Sequence, residues 1–331
     1  MAIENTPTLT PEQHTHFLEH GWVKIPQAIP KEHVDLYTKD LWVRLGYDKN
    51  DPSTWEEETF RMPRHREMPW SQFAPKGYAA ICEVVGGEDR LDSTLFSKAG
   101  DNLIANFGKE EYRDKAVHPR DLGVWHVDGN WFTHFLDSSE QPVLCILLFN
   151  DIVPRGGGTF LCEDGLTRII QWLHERPQGV DRKLVNPDGT SIFDELPTWE
   201  KFVECTGNAG DMYICHGFMP HSVSKNHLRI PRFITSPKIV LKEPFKLNRE
   251  DPKDYSLAEK KILHDLGVSS LPDWKIIGER THFVAANIKT RDARVPLEVE
   301  RLKAHAAKTG GVAESIHIHG VVAPEAYGFK A

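Results

Sequence analysis

Apolar and polar residues follow two different periods along this chain. Near the N-terminus the spacing is helical: Thr10 offers an N-cap, Pro11 suits the first helical position and Gln13 completes a capping-box spacing. His14, Phe17 and Leu18 follow at helical spacing, and Gly21 can close the helix. A short strand is predicted over 22–26, then a helix over about 31–45 with Gly46 at its C-terminal end. The stretch 48–90 is polar and Pro-rich, with a helical fragment near 77–85. From about Leu103 the pattern changes to short strands separated by turns. Residues 143–149 form a continuous apolar run of the kind buried on both faces of a sheet. Gly156, Gly157 and Gly158 make a turn before a strand over 159–162, and a helix over 166–174 follows. Further strands are predicted over 211–215, 232–235 and 238–241. The tail returns to helices over 256–266 and 297–308, closed by Gly267 and Gly310, and ends in a strand-like 315–319. Many short strands with Gly and Pro turns predict a mainly β fold with flanking helices, a sandwich or barrel.

The stretch 123–130 carries the candidate chemistry. Side chains repeat with period 2 along a strand, so His126 and Asp128 would share one face and Trp125 and Val127 the other. An imidazole and a carboxylate presented together supply two of the three ligands of a 2-His-1-carboxylate site, which leaves positions on an iron(II) open for substrate and dioxygen. Two histidines in 210–226, His216 and His221, are candidates for the third. A double-stranded β-helix, a form of jelly roll, brings such distant strands side by side. Arg232 then has a purpose, because a guanidinium grips a carboxylate through two parallel hydrogen bonds. Trp131, Phe132 and Phe135 read either as a wall around a substrate or as core beside the metal strand, and His134 as lining the pocket or the surface. His317 and His319 form another period-2 pair, which would either ligate a second metal or lie on an edge strand or a segment across the pocket mouth.

Composition narrows the classes. With 331 residues, 40% hydrophobic, 9 Trp and 16 Phe, the chain has material for a large core. A net charge of −8 speaks against nucleic acid as a partner. No apolar run is long enough for a transmembrane helix, so no membrane partner is expected. Residues 1–6 show neither the basic nor the apolar region of a secretory signal. Cys82, Cys145, Cys162, Cys205 and Cys215 form no C-x-x-C pair, and their odd count points to a reducing, cytoplasmic compartment. The basic run 60–66 reads first as a solvated loop; the sharper alternative is an anchor for an anionic substrate.

Several pieces together resemble the phytanoyl-CoA dioxygenase family of iron(II)/2-oxoglutarate oxygenases. They are the opening 9–26, His126-x-Asp128, Gly157-Gly158-Thr159, and Gly210-Asp211 leading to His216, His221, Ser222 and Asn226, with Arg232 at the family's spacing from its distal histidine. The likeness covers about residues 8–240 and is closest to fungal members that oxidise small metabolites or amino acids. It implies a double-stranded β-helix (jelly-roll, cupin-like) core within a single oxygenase domain over 1–331. The domain would comprise a helical N-terminal part over about 8–100, the core over about 101–245 and a helical C-terminal extension over about 250–331. It implies iron on His126, Asp128 and His221, and 2-oxoglutarate held by Arg232 with help from Thr159. Trp131, Phe132 and His134 would then be substrate residues. With dioxygen, 2-oxoglutarate would give succinate and carbon dioxide while an unactivated C–H bond of a small metabolite is hydroxylated, desaturated or cyclised. Where the family continues to a Pro-Gly-Ser-His stretch, this chain has Cys162-Glu163-Asp164-Gly165, which points away from a branched fatty acyl-CoA. A carboxylate-bearing molecule or an amino acid is the expected substrate. Two rival readings stand: a zinc hydrolase on the same His/Asp/His set, and a family member that binds a ligand without turnover. The sequence fixes no oligomeric state.

Overall fold

The computed structural model describes residues 8–94, 97–113, 115–283 and 287–320. The stretch 1–6, read above for a targeting signal, lies outside them. In chain order, helix α1 (Pro11–His20) leads into strand β1 (Trp22–Ile25), helices α2 (Lys31–Thr38) and α3 (Leu41–Leu45), and strands β2 (Thr59–Arg61) and β3 (Glu67–Pro69). Helices α4 (Trp70–Phe73) and α5 (Pro75–Val85) precede strands β4 (Lys98–Gly100), β5 (Ile104–Asn106), β6 (Val143–Leu148) and β7 (Thr159–Cys162). Helix α6 (Glu163–His174) then leads to β8 (Phe202–Glu204), β9 (Met212–His216), β10 (His221–Val223) and β11 (Arg232–Thr235). Helices α7 (Leu257–Leu266), α8 (Asn287–Asp292) and α9 (Val295–Thr309) finish the chain. Among the described residues no helix is long and apolar enough to cross a membrane.

Local chemistry explains several of these boundaries. The Thr10 side chain accepts from the Gln13 N–H, the Gln13 side chain answers at the Thr10 N–H, and Gly21 closes α1. The helix expected over 31–45 is two helices instead. Thr38 turns its hydroxyl back onto the Val34 carbonyl at 2.8 Å, and the Asp40 carboxylate pairs with Arg66 and caps nothing in α3. Tertiary pairing has taken the side chain that local spacing would have left in a helix.

The strands pair antiparallel throughout. A six-stranded sheet runs β1-β9-β6-β11-β5-β2, a three-stranded sheet runs β10-β7-β8, and β3 pairs with β4. All of β6 is buried, as its continuous apolar run requires. Strands β1, expected over 22–26, and β2, within the part 8–100 that the resemblance describes as helical, form the two edges of the large sheet. Both larger sheets contribute to one cavity: Leu144, Ile146, Ile234 and Arg232 from the first, Thr159, His221 and Val223 from the second.

Three expected strands are absent. Residues 123–130 make only one bridge, His126 to His221, because the chain turns at Gly123 and Gly129, both at positive φ. The burial alternation nevertheless holds there: Trp125 and Val127 are buried, His126 is exposed and Asp128 half-buried. Within 238–241 only Leu241 is bridged, to Leu91. The segment 315–319 is a turn, not a strand. It is pinned because the Ile316 N–H donates to the His65 carbonyl at 2.9 Å and the His317 ring bonds the Arg64 carbonyl at 2.9 Å. His317 is therefore buried and His319 exposed, so the two do not form a ligand pair.

Candidate metal centre

The site starts from two backbone hydrogen bonds. His126 N–H donates to the His221 carbonyl at 3.1 Å, and His221 N–H returns the bond at 2.9 Å. This exchange sets the two imidazoles side by side, with ring centroids 4.3 Å apart. Each ring then uses the same local device. His126 Nδ1 lies 2.9 Å from the Val124 carbonyl, and His221 Nδ1 lies 3.0 Å from the Met219 carbonyl. A carbonyl oxygen only accepts, so both Nδ1 atoms carry the proton and both Nε2 atoms present a lone pair. Those Nε2 atoms stand 3.7 and 3.8 Å from Asp128 Oδ1. All three ligand atoms lie within 4.8 Å of one another.

Electrostatics keep the donors in their binding forms. Burial pushes the Asp128 carboxyl up, but His221, His126, Lys238 and Arg61 outweigh it and hold the group below the ordinary carboxylate value. Burial, with His126 alongside, pushes His221 down to about 4 against the pull of Asp128, so the imidazole is neutral at neutral pH. Two neutral imidazole nitrogens and one carboxylate are a fitting donor set for iron(II) or zinc. Among the described residues this is the one group of three or more such side chains that could hold a metal. His216 lies outside it: fully buried, it accepts at Nδ1 from the Phe218 N–H at 3.2 Å and packs near Phe218 and Phe245.

Arg232, the first residue of β11, is 1% exposed. Its Nε donates to the Gly157 carbonyl at 2.8 Å and its Nη1 to the Ile104 carbonyl at 3.2 Å. Among the described residues no carboxylate pairs with it. Burial pushes its guanidinium down to about 9, and neighbouring Arg61 adds to the effect. A buried guanidinium without a counter-charge is costly, and an anionic ligand relieves that cost. Arg232 and Thr159 both line the cavity that His126, Asp128 and His221 enter, whose volume is about 360 Å³.

The expected substrate residues divide. Trp131 lines the cavity, with Lys238 Nζ 3.2 Å from the centroid of its ring. Phe132 and His134 do not face it; they are buried beneath the turn after Asp128. Gly129 makes that turn at φ +127°, and a Cβ there would meet His134 Cε1 at 2.5 Å and Phe132 Cε1 at 2.7 Å. Their contribution is to support the loop that carries Asp128.

Three cations on the cavity wall carry no signal in the sequence, Lys98, Lys238 and Arg291. The basic run 60–66 is divided by the structure. Arg61 and Arg64 line the cavity, whereas Arg66 is buried in ion pairs with Asp40, Asp101 and Glu314. The run is not a solvated loop, because strand β2 directs part of it inward and the acidic groups around Asp101 hold the rest.

No protein-family model matches the chain, and no curated protein does. Solved structures give weak likenesses. The non-heme α-ketoglutarate-dependent epimerase SnoN from nogalamycin biosynthesis is 16% identical, with a TM-score of 0.40, over 69% of this chain and 81% of that one. HygX from Streptomyces hygroscopicus, crystallised with nickel, 2-oxoglutarate and hygromycin B, is 17% identical at a TM-score of 0.39, over 73% of this chain and 90% of that one. EctD from S. alaskensis with bound Fe is 13% identical at 0.43, over 75% and 84%. Likenesses at this level fix neither family nor activity.

Proposed function

We propose that this protein is an iron(II)- and 2-oxoglutarate-dependent oxygenase, one domain over 1–331, that oxidises an unactivated C–H bond of a small molecule. The observation that carries this reading is the pairing of two features in one cavity. Two tautomer-locked histidines converge with Asp128, and a buried guanidinium without a carboxylate partner, Arg232, lines the same wall. The antiparallel sheets that share the cavity support a double-stranded β-helix core. Free thiols at all five cysteines support a reducing, cytoplasmic setting.

The residues divide the work. His126 Nε2, His221 Nε2 and a carboxylate oxygen of Asp128 hold the iron, and the Nδ1–H bonds to Val124 and Met219 fix both rings for that task. Ser236 Oγ, 3.4 Å from Asp128 Oδ2, steadies the carboxylate. Arg232 receives the distal carboxylate of the cosubstrate, with Thr159 beside the same space. Iron(II) bound there supplies the redox chemistry by which 2-oxoglutarate and dioxygen yield succinate, carbon dioxide and an oxidised substrate. Met62, Trp70 and Trp131 give the cavity an apolar wall that limits water around the reacting groups. A zinc hydrolase is less well served. Asp128 is the one acidic side chain among the described residues that line the cavity, so once it binds metal no carboxylate remains as general base.

Anaerobic addition of iron(II) and then 2-oxoglutarate, followed in the visible spectrum, tests this. A weak charge-transfer band should need both additions and vanish in His126→Ala and Asp128→Ala. In Arg232→Ala it should require at least about tenfold more 2-oxoglutarate, the loss of a charge-assisted bidentate contact. Retained zinc with no band would overturn the oxygenase reading.

A further inference from the structure

Cationic side chains outnumber carboxylates among the described residues that line the cavity. Besides Arg232, five cationic side chains line it: Arg61, Arg64, Lys98, Lys238 and Arg291. Against them stands Asp128, the one carboxylate among the described lining residues, which the metal would claim. The cosubstrate's distal carboxylate accounts for Arg232, and Asp292 pairs with Arg291 at 2.8 Å.

Arg61 is set apart by sheet register. On β5, Ile104 and Asn106 lie two residues apart and so point to one face. Arg61 pairs with Ile104 across one edge of β5, and Arg232 pairs with Asn106 across the other. The two guanidiniums therefore enter the same cavity from strands flanking β5. Arg232 is fully buried and Arg61 is exposed, which places Arg61 nearer the mouth. Among the described residues Arg61 makes no ion pair. Arg64 and Lys98 share Glu67 at 3.1 and 2.6 Å, and Lys238 lies over the Trp131 ring.

Resting on the oxygenase reading, we infer that the substrate is a small anion, a carboxylate or phosphate ester without a free ammonium group, whose charged end is held by Arg61. Its apolar body lies against Trp131, Met62 and Trp70. An ammonium held at that end would face Arg61 and find no carboxylate but the metal-binding Asp128 among the described lining residues, so amino acids and polyamines are disfavoured. At about 360 Å³ the cavity is at the small end of small-molecule sites, and it must also hold the cosubstrate.

Four probes sharing one aromatic body separate the possibilities: benzoate, phenyl phosphate, benzyl alcohol and benzylamine. Each is titrated calorimetrically into the protein saturated with nickel(II) and 2-oxoglutarate, so that Arg232 is already engaged and turnover is absent. At least one anion should bind at least tenfold more tightly than benzyl alcohol and benzylamine, and the stronger of the two anions distinguishes carboxylate from phosphate. Arg61→Gln should lower that affinity at least tenfold while 2-oxoglutarate affinity stays within twofold, and Arg61→Lys should recover most of it. Equal binding of benzylamine and the anions would overturn the inference. So would an Arg61→Gln protein whose 2-oxoglutarate affinity falls as far as that of Arg232→Gln, which would assign Arg61 to the cosubstrate. If nickel and 2-oxoglutarate bind but neither anion does, the inference fails and the oxygenase reading stands. If anions bind in an Arg61-dependent way to a protein that takes no 2-oxoglutarate, the oxygenase reading fails and the anion site stands.

Discussion

Histidines in this chain divide by what their ring nitrogens meet. His126 and His221 each spend Nδ1–H on a carbonyl two residues back, which leaves Nε2 free to bind metal. His216 instead is fully buried and accepts one backbone N–H at Nδ1. Desolvation pushes its imidazole down to about 3, whereas an unfolded histidine titrates near ~6.5. Below that value the unfolded chain takes up a proton that the folded protein refuses, so stability falls as pH drops from ~6.5 toward 3, by about 1.4 kcal/mol per pH unit. His216→Leu should therefore show a shallower loss of unfolding free energy between pH 6 and pH 4.5 in denaturant titrations. An unchanged slope would mean that His216 titrates freely in the native protein.

At the scale of elements, the corner between β9 and β10 matters most for the site. It carries the chain from the large sheet to the small one and delivers His221 to the cavity. Gly217 sits in that corner, where a Cβ would come within 1.7 Å of the Gln141 carbonyl oxygen. The atoms it would meet all belong to the backbone of 141–142, with no flexible side chain to yield, so Gly217→Ala should cost about 3 kcal/mol, at the upper end for overpacking. It should also weaken the iron(II)/2-oxoglutarate band, because the corner must shift. Urea unfolding and the anaerobic titration read the two effects separately. The ends of α1 and α7 were legible in the sequence because Thr10 with Gln13 caps α1 and Gly21 and Gly267 close the two helices within a few residues. The break between α2 and α3 was not, because Asp40 pairs with Arg66, a residue that sequence spacing does not bring to it.

Across the whole molecule, the C-terminal helix is tied to the N-terminal part through a fully buried arginine. Arg44 Nε donates to Glu298 on α9 at 2.9 Å, Nη1 donates to Asp101 at 2.9 Å, and Nη2 donates to the Pro63 carbonyl at 2.6 Å. Removing the cation leaves two acidic side chains buried around it, which typically costs 3–5 kcal/mol, so roughly 4 kcal/mol is expected for Arg44→Met. The midpoint of chemical unfolding should fall accordingly. A change under ~1 kcal/mol would show that the two carboxylates find other partners.

What the sequence determined by itself was local. The His126-x-Asp128 spacing, the caps of α1 and α7 and the buried run of β6 follow from periods and hydrogen bonds that a few consecutive residues settle. The tertiary structure decided everything that depends on which distant strand lies alongside. It chose His221 over His216 as His126's neighbour, because only His221 exchanges backbone bonds with His126. It buried His317 against Arg64 and left His319 outside. It sent Arg61 into the cavity and Arg66 into an ion network. Charge and residue type are written in the chain, but the direction a side chain faces is set by strand register and by long-range ion pairs. Those exist only once the sheets have formed.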